Sequence, residues 1–106
     1  MESKISVSFQ NNIARIELQG RVDATNAPVL AEELKKLVGQ PINQIVFLAK
    51  ELEYISSAGL RTIIFAKQKL GENAQVFLIA PQPTVSEVIK MSGLDSFLTM
   101  QDSFDN

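Results

Sequence analysis

Two short stretches near the start of the chain alternate apolar and polar residues, as strands with one buried face do. The first covers residues 5–9, "ISVSF", and the second covers residues 13–18, "IARIEL". Asn11 and Asn12 lie between them, and asparagine tolerates the positive φ angles of a tight turn. The pattern therefore predicts that the chain opens with an antiparallel β-hairpin.

Apolar residues then recur at helical spacing, which predicts a first amphipathic helix. Pro28 suits the first turn of this helix, and Thr25 or Asn26 is the expected cap. Gly39 is expected to end it. The predicted buried stripe consists of Leu30, Leu34, Leu37 and Val38.

Two nearly continuous apolar runs, residues 42–49 and 74–80, predict strands in the middle of a sheet. Residues 97–100, "FLTM", are expected to add a short edge strand. The remaining residues, 101–106, are expected to form a loose tail or one last helical turn.

Each of the two apolar runs is followed by a helical pattern. The second helix is predicted to start near Ala58, with Gly71 just after its end. The third has Thr84 and Glu87 at the spacing of a capping box and is expected to end at Gly93. The predicted stripes are Leu60, Ile63, Ile64, Lys67 by its stem and Leu70 in the second helix, and Val85, Val88 and Ile89 in the third.

The order of elements, strand, strand, and then helix and strand three times, is typical of an α/β fold. Such alternation favours parallel pairing with right-handed crossovers after the opening hairpin. The chain has 106 residues, too few for two independent cores. We therefore expect residues 1–106 to form a single domain with a mixed sheet of four to five strands.

Composition and charge exclude several classes of function. The net charge is −2 and the ten basic residues are scattered, which argues against nucleic-acid binding. No apolar run approaches the roughly 18 residues that span a bilayer, and the first ten residues lack a secretion signal. We expect a cytoplasmic protein that is a monomer when free and that contacts neither nucleic acid nor membrane.

The chain contains no histidine and no cysteine, so it lacks the commonest general base, thiol nucleophile and metal ligands. Two acidic pairs remain, Glu32 with Glu33 and Glu51 with Glu53, and both have the character of surface pairs. The composition therefore predicts no catalytic residue, no metal site and no cofactor.

Residues 54–61, "YISSAGLR", carry a strand into a helix at the carboxyl edge of the sheet, where α/β proteins place functional residues. The helix start offers free N–H groups and a partial positive charge that suit an anion. In one interpretation Ser56 or Ser57 only caps the helix, while Ala58 and Gly59 allow close packing. A nucleotide-binding turn is a second interpretation, although the stretch lacks the Walker A spacing and lysine.

A third interpretation is a regulated contact surface. A serine at a helix start can be phosphorylated, and the dianion is then held by the same N–H donors while it projects towards a docked protein. Arg61, one turn after Ser57, can pair with such a phosphate or can simply be solvated.

At these residues the sequence resembles the STAS domains, and among them the free-standing anti-sigma factor antagonists. The resemblance covers nearly the whole chain. It rests on the serine turn "YISSAGLR", on "GRVDATNAP" before the first helix and on "VFLIAPQPTVSEVIKMSGL" towards the end. The family typically has Asp-Ser-Ser-Gly-Leu at the turn, and its first serine is the phosphoacceptor.

The resemblance implies partner switching. The unmodified antagonist binds an anti-sigma factor that is itself a serine kinase, and the phosphorylated form is rejected until a serine phosphatase restores it. With Gly59 and Leu60 in register, Ser57 becomes the phosphoacceptor, Ser56 replaces the usual aspartate and Ala58 replaces the second serine.

The resemblance also implies a partner-binding surface, and the sequence departs from the family's pattern at one more position. Asp23 and Asn26 match polar positions of the loop before the first helix, with capping of that helix as the alternative role. Leu48 stands where many relatives carry an aspartate, which leaves open an antagonist that binds its partner constitutively. The implied surface comprises Asp23, Asn26, Ser56, Ser57, Ala58, Gly59, Leu60 and Arg61.

A function of another class stays open at this point. STAS domains also serve as accessory subunits of transport complexes, and some bind nucleotides or other anions. Neighbouring genes for a permease would favour this alternative, whereas genes for a serine kinase or a sigma factor would favour the antagonist.

Overall fold

The structure is a computed structural model that describes residues 3–70 and 73–104. Five strands and three α-helices form in the described part, with a π-helical turn, Ala66–Leu70, and a short 3-10 helix, Leu94–Ser96. The strands are β1 (Lys4–Gln10), β2 (Ile13–Val22), β3 (Gln44–Ile55), β4 (Gln75–Ile79) and β5 (Thr99–Gln101). The helices are α1 (Ala27–Lys35), α2 (Ser57–Phe65) and α3 (Pro83–Ser92).

The chain opens with the predicted hairpin. β1 pairs antiparallel with β2, and the pair Gln10 and Ile13 closes a two-residue turn. Asn11 and Asn12 in this turn have φ angles of 57° and 64°. Two consecutive positive φ angles are the signature of a turn whose twist matches that of the strands. The two asparagines therefore set the register of the first strand pair.

The five strands lie in chain order, and every pair after the hairpin is parallel. Right-handed crossovers that step across a sheet in one direction place their helices on the same face. Accordingly, buried residues of all three helices belong to one core cluster with the strands. The predicted α/β fold with a mixed sheet is confirmed. The residues of α1, α2 and α3 in that cluster are Ala27, Leu30, Leu34, Ile63, Val85 and Ile89, and the π-helical turn adds Ala66.

The opposite face of the sheet carries a second, smaller cluster of Ile13, Val46, Phe77 and Ile79. Phe104 packs against this cluster, with its ring centroid 5.4 Å from that of Phe77. Partial burial of this ring holds the segment on the sheet. The expectation of a loose tail or a helical turn is therefore wrong for residues 101–104. Residues 105–106 lie outside the described part.

β3 extends six residues beyond its predicted end, to Ile55, and begins two residues later than predicted, at Gln44. The register with β2 shifts twice, and at each place β3 contains one extra residue. Such bulges break the strict alternation of faces. As a result Ala49, Leu52 and Ile55 are all buried, although they are three residues apart. The prediction ended the strand too early because it followed the apolar run, which stops at Ala49.

The helix caps differ from the prediction. α3 starts at Pro83 with Gln82 as the N-cap residue, because proline suits the first helical position. Thr84 therefore lies inside the helix, and its hydroxyl contacts the Glu53 carbonyl oxygen at 3.4 Å instead of forming a capping box with Glu87. The predicted end is confirmed, since Gly93 follows α3 with a φ of 82°.

Two residues of the predicted apolar stripes point to solvent. Val38 is 54% exposed because α1 ends at Lys35 and the following turn no longer keeps helical spacing. Ile64 is 37% exposed on α2. Gly71, predicted to follow the second helix, lies outside the described residues. Of the helices seen in residues 3–70 and 73–104, none is long and apolar enough to cross a membrane.

Candidate functional site

The ends of β2 and β3 bring two polar segments together at the carboxyl edge of the sheet. Val22 and Ile55 are partners in the parallel pair. Directly after them, the Ser56 N–H donates to the Val22 carbonyl oxygen at 2.8 Å. The loop of residues 23–26 and the serine turn therefore lie side by side, as expected from the sequence.

Ser56 is the N-cap of α2. Its hydroxyl oxygen accepts a hydrogen bond from the Gly59 N–H at 3.2 Å, and its carbonyl oxygen accepts from the Leu60 N–H at 2.9 Å. Aspartate and serine are both good N-cap residues. A serine at this position therefore caps the helix as an aspartate would.

Ser57 is the first residue of α2 and is exposed. Its hydroxyl forms no hydrogen bond with any residue in the described ranges 3–70 and 73–104. The two serines therefore have different roles: the hydroxyl of Ser56 holds the helix start, and that of Ser57 faces solvent.

We expect Ser56→Ala to lower the free energy of unfolding by about 1 kcal/mol, because the cap to Gly59 is lost. Ser57→Ala removes an exposed hydroxyl and should change the free energy by less than about 0.5 kcal/mol. Urea unfolding followed by circular dichroism measures both values. Equal losses in the two variants would contradict this division of roles.

The other predicted residues of the turn differ in exposure. Arg61 is exposed, whereas Ala58 and Leu60 are half-buried. Gly59 is buried, and a Cβ atom there would lie 2.7 Å from Cγ1 of Ile55 and 2.8 Å from Cγ1 of Val22. The assignment of Gly59 to the contact surface is therefore corrected: this glycine supports the surface from beneath, because only glycine lets α2 approach the strands so closely.

Asp23 and Asn26 stabilise the loop before α1. The Asn26 side-chain oxygen accepts from the Asp23 N–H at 2.9 Å, and its amide nitrogen donates to the Arg21 carbonyl oxygen at 2.7 Å. An Asp23 carboxylate oxygen accepts from the Thr25 N–H at 3.0 Å. Asn26 occupies the N-cap position of α1 but makes no side-chain cap bond. Neither residue therefore caps the helix by its side chain.

Arg21 and Tyr54 form a surface feature that was not predicted from the sequence. They are partners across β2 and β3, and the guanidinium carbon lies 4.2 Å from the centre of the tyrosine ring. The Arg21 Nε also lies 3.7 Å from an Asp23 carboxylate oxygen. Strand alternation could have indicated the pair, since both residues immediately precede the buried Val22 and Ile55. They extend the polar surface beside the serine turn.

The remaining residues discussed from sequence lie away from the turn. Leu48 packs against the cluster on the face opposite the helices. Glu32 and Glu33 pair with Lys35 and Lys36 along α1. Within residues 3–70 and 73–104, no three acidic side chains gather as a metal ion would require.

Comparison with known proteins places these features in context. The family model described as "STAS domain" matches residues 4–106. BtrV of Bordetella bronchiseptica, which is named as an anti-sigma factor antagonist, is 37% identical over 87 residues. The match covers 81% of this chain and 75% of BtrV.

Solved structures share the fold. An anti-sigma factor antagonist from Mycobacterium paratuberculosis superposes with a TM-score of 0.85 at 21% identity, covering 98% of this chain and 89% of the other. SpoIIAA from Bacillus in its phosphorylated form gives a TM-score of 0.72 at 18% identity, covering 92% and 90%. At this level of identity the two structures support the same arrangement of strands and helices.

Proposed function

This chain belongs to the STAS domain family, and we propose that it is an anti-sigma factor antagonist whose binding is controlled by phosphorylation of Ser57. The observation that carries the proposal is the exposed Ser57 hydroxyl at the start of α2, without a hydrogen bond in the described structure and beside a second polar loop. The phosphorylated form of SpoIIAA, which has the same fold, supports it.

The unmodified surface suits a protein partner. Arg21, Asp23, Tyr54 and Arg61 offer charged and aromatic groups around the serine turn. Tyrosine and arginine are among the residues that contribute most to protein interfaces. Asn26 fixes the loop in advance, so little conformational entropy is lost when the partner docks.

Phosphorylation changes this surface by charge. A phosphoserine carries about −1.5 to −2 charges at neutral pH, and the first N–H groups of α2 can hold it at the edge of the sheet. A partner shaped for a neutral hydroxyl would have to desolvate that dianion without offering a compensating group of its own. The complex should therefore dissociate when Ser57 is modified.

The kinase is assigned to the partner and not to this chain. Ser57 supplies its hydroxyl oxygen, which takes the γ-phosphoryl group of ATP and loses its proton while ADP leaves. A serine phosphatase then hydrolyses the ester and restores the binding surface. Because ATP and sigma factors act in the cytoplasm, the proposal places the protein there.

Incubation with ATP and the candidate anti-sigma kinase, followed by mass spectrometry of the peptides, tests the site. We expect one phosphate on Ser57, complete loss of modification in Ser57→Ala, and continued modification in Ser56→Ala. Phosphate on Ser56, or modification of the Ser57→Ala variant, would contradict the assignment.

A further inference from the structure

A groove of about 800 Å³ runs along α2 and its π-helical continuation, from Ser57 to Gln68. The other wall is formed by β4 and by the segment after α3. Ligand sites in proteins are typically concave, mostly apolar and about 300–1,000 Å³ in volume. The groove therefore has the size of a small-molecule site. Its apolar lining includes Leu60, Ile63, Ile64, Val76, Leu94 and Leu98.

Two basic side chains lie among the described residues that line the groove. Arg61 and Lys67 line it, and no aspartate or glutamate of residues 3–70 and 73–104 does so. The Lys67 ammonium also donates to the Ala74 carbonyl oxygen at 3.0 Å, which holds the side chain against the wall. The exposed Arg61 guanidinium above an apolar floor matches an amphiphile with a negative head.

We propose that this groove binds a medium-chain aliphatic carboxylate. The carboxylate pairs with the Arg61 guanidinium, whose planar fork suits two parallel hydrogen bonds to one carboxyl group. The aliphatic chain lies on Leu60, Ile64 and the apolar residues of the opposite wall. Ser57 lines the same groove, so the site shares one side chain with the proposed switch but does not depend on it.

Titration of the ¹⁵N-labelled chain with sodium decanoate tests the proposal. We expect saturable binding of one decanoate per chain below its micelle concentration, with the largest amide shifts at groove residues. Decyltrimethylammonium has the same tail with a positive head, and we expect it to bind at least about tenfold more weakly. Equal binding of the two probes, or shifts spread over other surfaces, would overturn the proposal.

Three variants locate the site. Arg61→Gln should weaken decanoate binding about tenfold, the effect expected for loss of one charge-assisted contact. Ile64→Glu places a carboxylate at the exposed rim of the groove and should abolish binding. Lys4→Gln removes an exposed cation on β1 and should leave binding unchanged, because β1 is the edge strand at the end of the sheet away from β4.

Unfolding curves of each variant show that it is folded when its binding is measured. Unchanged affinity of a folded Arg61→Gln would overturn the proposal. If the groove amides shift only when an anti-sigma factor is added, the occupant is a side chain of the partner and the carboxylate site is refuted. Because decanoate binding is measured on the free protein, its failure leaves the Ser57 proposal to be judged by its own experiments.

Discussion

Ser57→Asp is expected to bind the cognate anti-sigma factor about ten- to a hundredfold more weakly than the unmodified protein. One negative charge at the exposed start of α2 must lose its hydration in the interface without a compensating group on the anti-sigma factor. A ten- to hundredfold loss of affinity corresponds to about 1.4–2.8 kcal/mol of binding free energy. Ser57→Ala keeps a small neutral side chain and should bind within about threefold of wild type. Isothermal titration calorimetry with the purified partner measures all three affinities.

Ser8→Asp provides the matched control. Ser8 is exposed on β1 and pairs with Arg15, near the amino end of β2. Ser57 follows the carboxyl end of β3, so the two serines lie near opposite ends of the parallel strands. The same change in net charge there should leave the affinity unchanged. If Ser57→Asp binds as well as Ser57→Ala, or if both aspartate variants weaken binding equally, then charge at position 57 does not control docking.

Gly59→Ala is expected to lower the free energy of unfolding by about 1–3 kcal/mol, the usual effect of overpacking. The new Cβ atom would lie under 3 Å from side-chain carbons of Val22 and Ile55 and 3.1 Å from the Val22 carbonyl oxygen. The higher helix propensity of alanine offsets at most about 1 kcal/mol. For a domain of this size the midpoint of thermal unfolding should fall by about 4–24 °C.

A double-mutant cycle identifies the cause of this loss. Val22→Ala alone leaves a cavity and should destabilise the protein. In combination with Gly59→Ala it removes one of the two closest clashes, so the double variant should lose less free energy than the sum of the single variants. Ser57→Ala, an alanine on the exposed side of the same helix, serves as the control for helix propensity. A Gly59→Ala variant that melts at or above the wild-type temperature would contradict the close packing.

The elements that the sequence predicted well are those in which local rules agree with the tertiary structure. Asn11 and Asn12 adopt positive φ angles without help from distant residues. The second half of β3 was missed because the prediction followed an apolar run that stops at Ala49. Beyond it two bulges place the buried residues three apart, and bulges depend on the neighbouring strand. The cap of α3 was misplaced because Pro83 takes the first helical position.

The location of the candidate site was predictable from the sequence, but the different roles of Ser56 and Ser57 were not. The strand-to-helix transition identified the edge where residues 23–26 and 56–61 meet. That Ser56 caps the helix while Ser57 is exposed depends on where α2 begins, and a one-residue shift would exchange the two roles. The stacking of Arg21 on Tyr54 depends on the register of β2 with β3, which the bulges set.

The order of the strands has a consequence for how the protein is made. Each strand lies next to the one that precedes it in the chain, so no strand must wait for a later segment to be inserted beside it. Pairing between segments that are close in sequence carries a low entropic cost of loop closure. During synthesis the sheet can therefore grow from β1 towards β5 as the polypeptide leaves the ribosome, and each newly emerged helix can close over strands that are already paired.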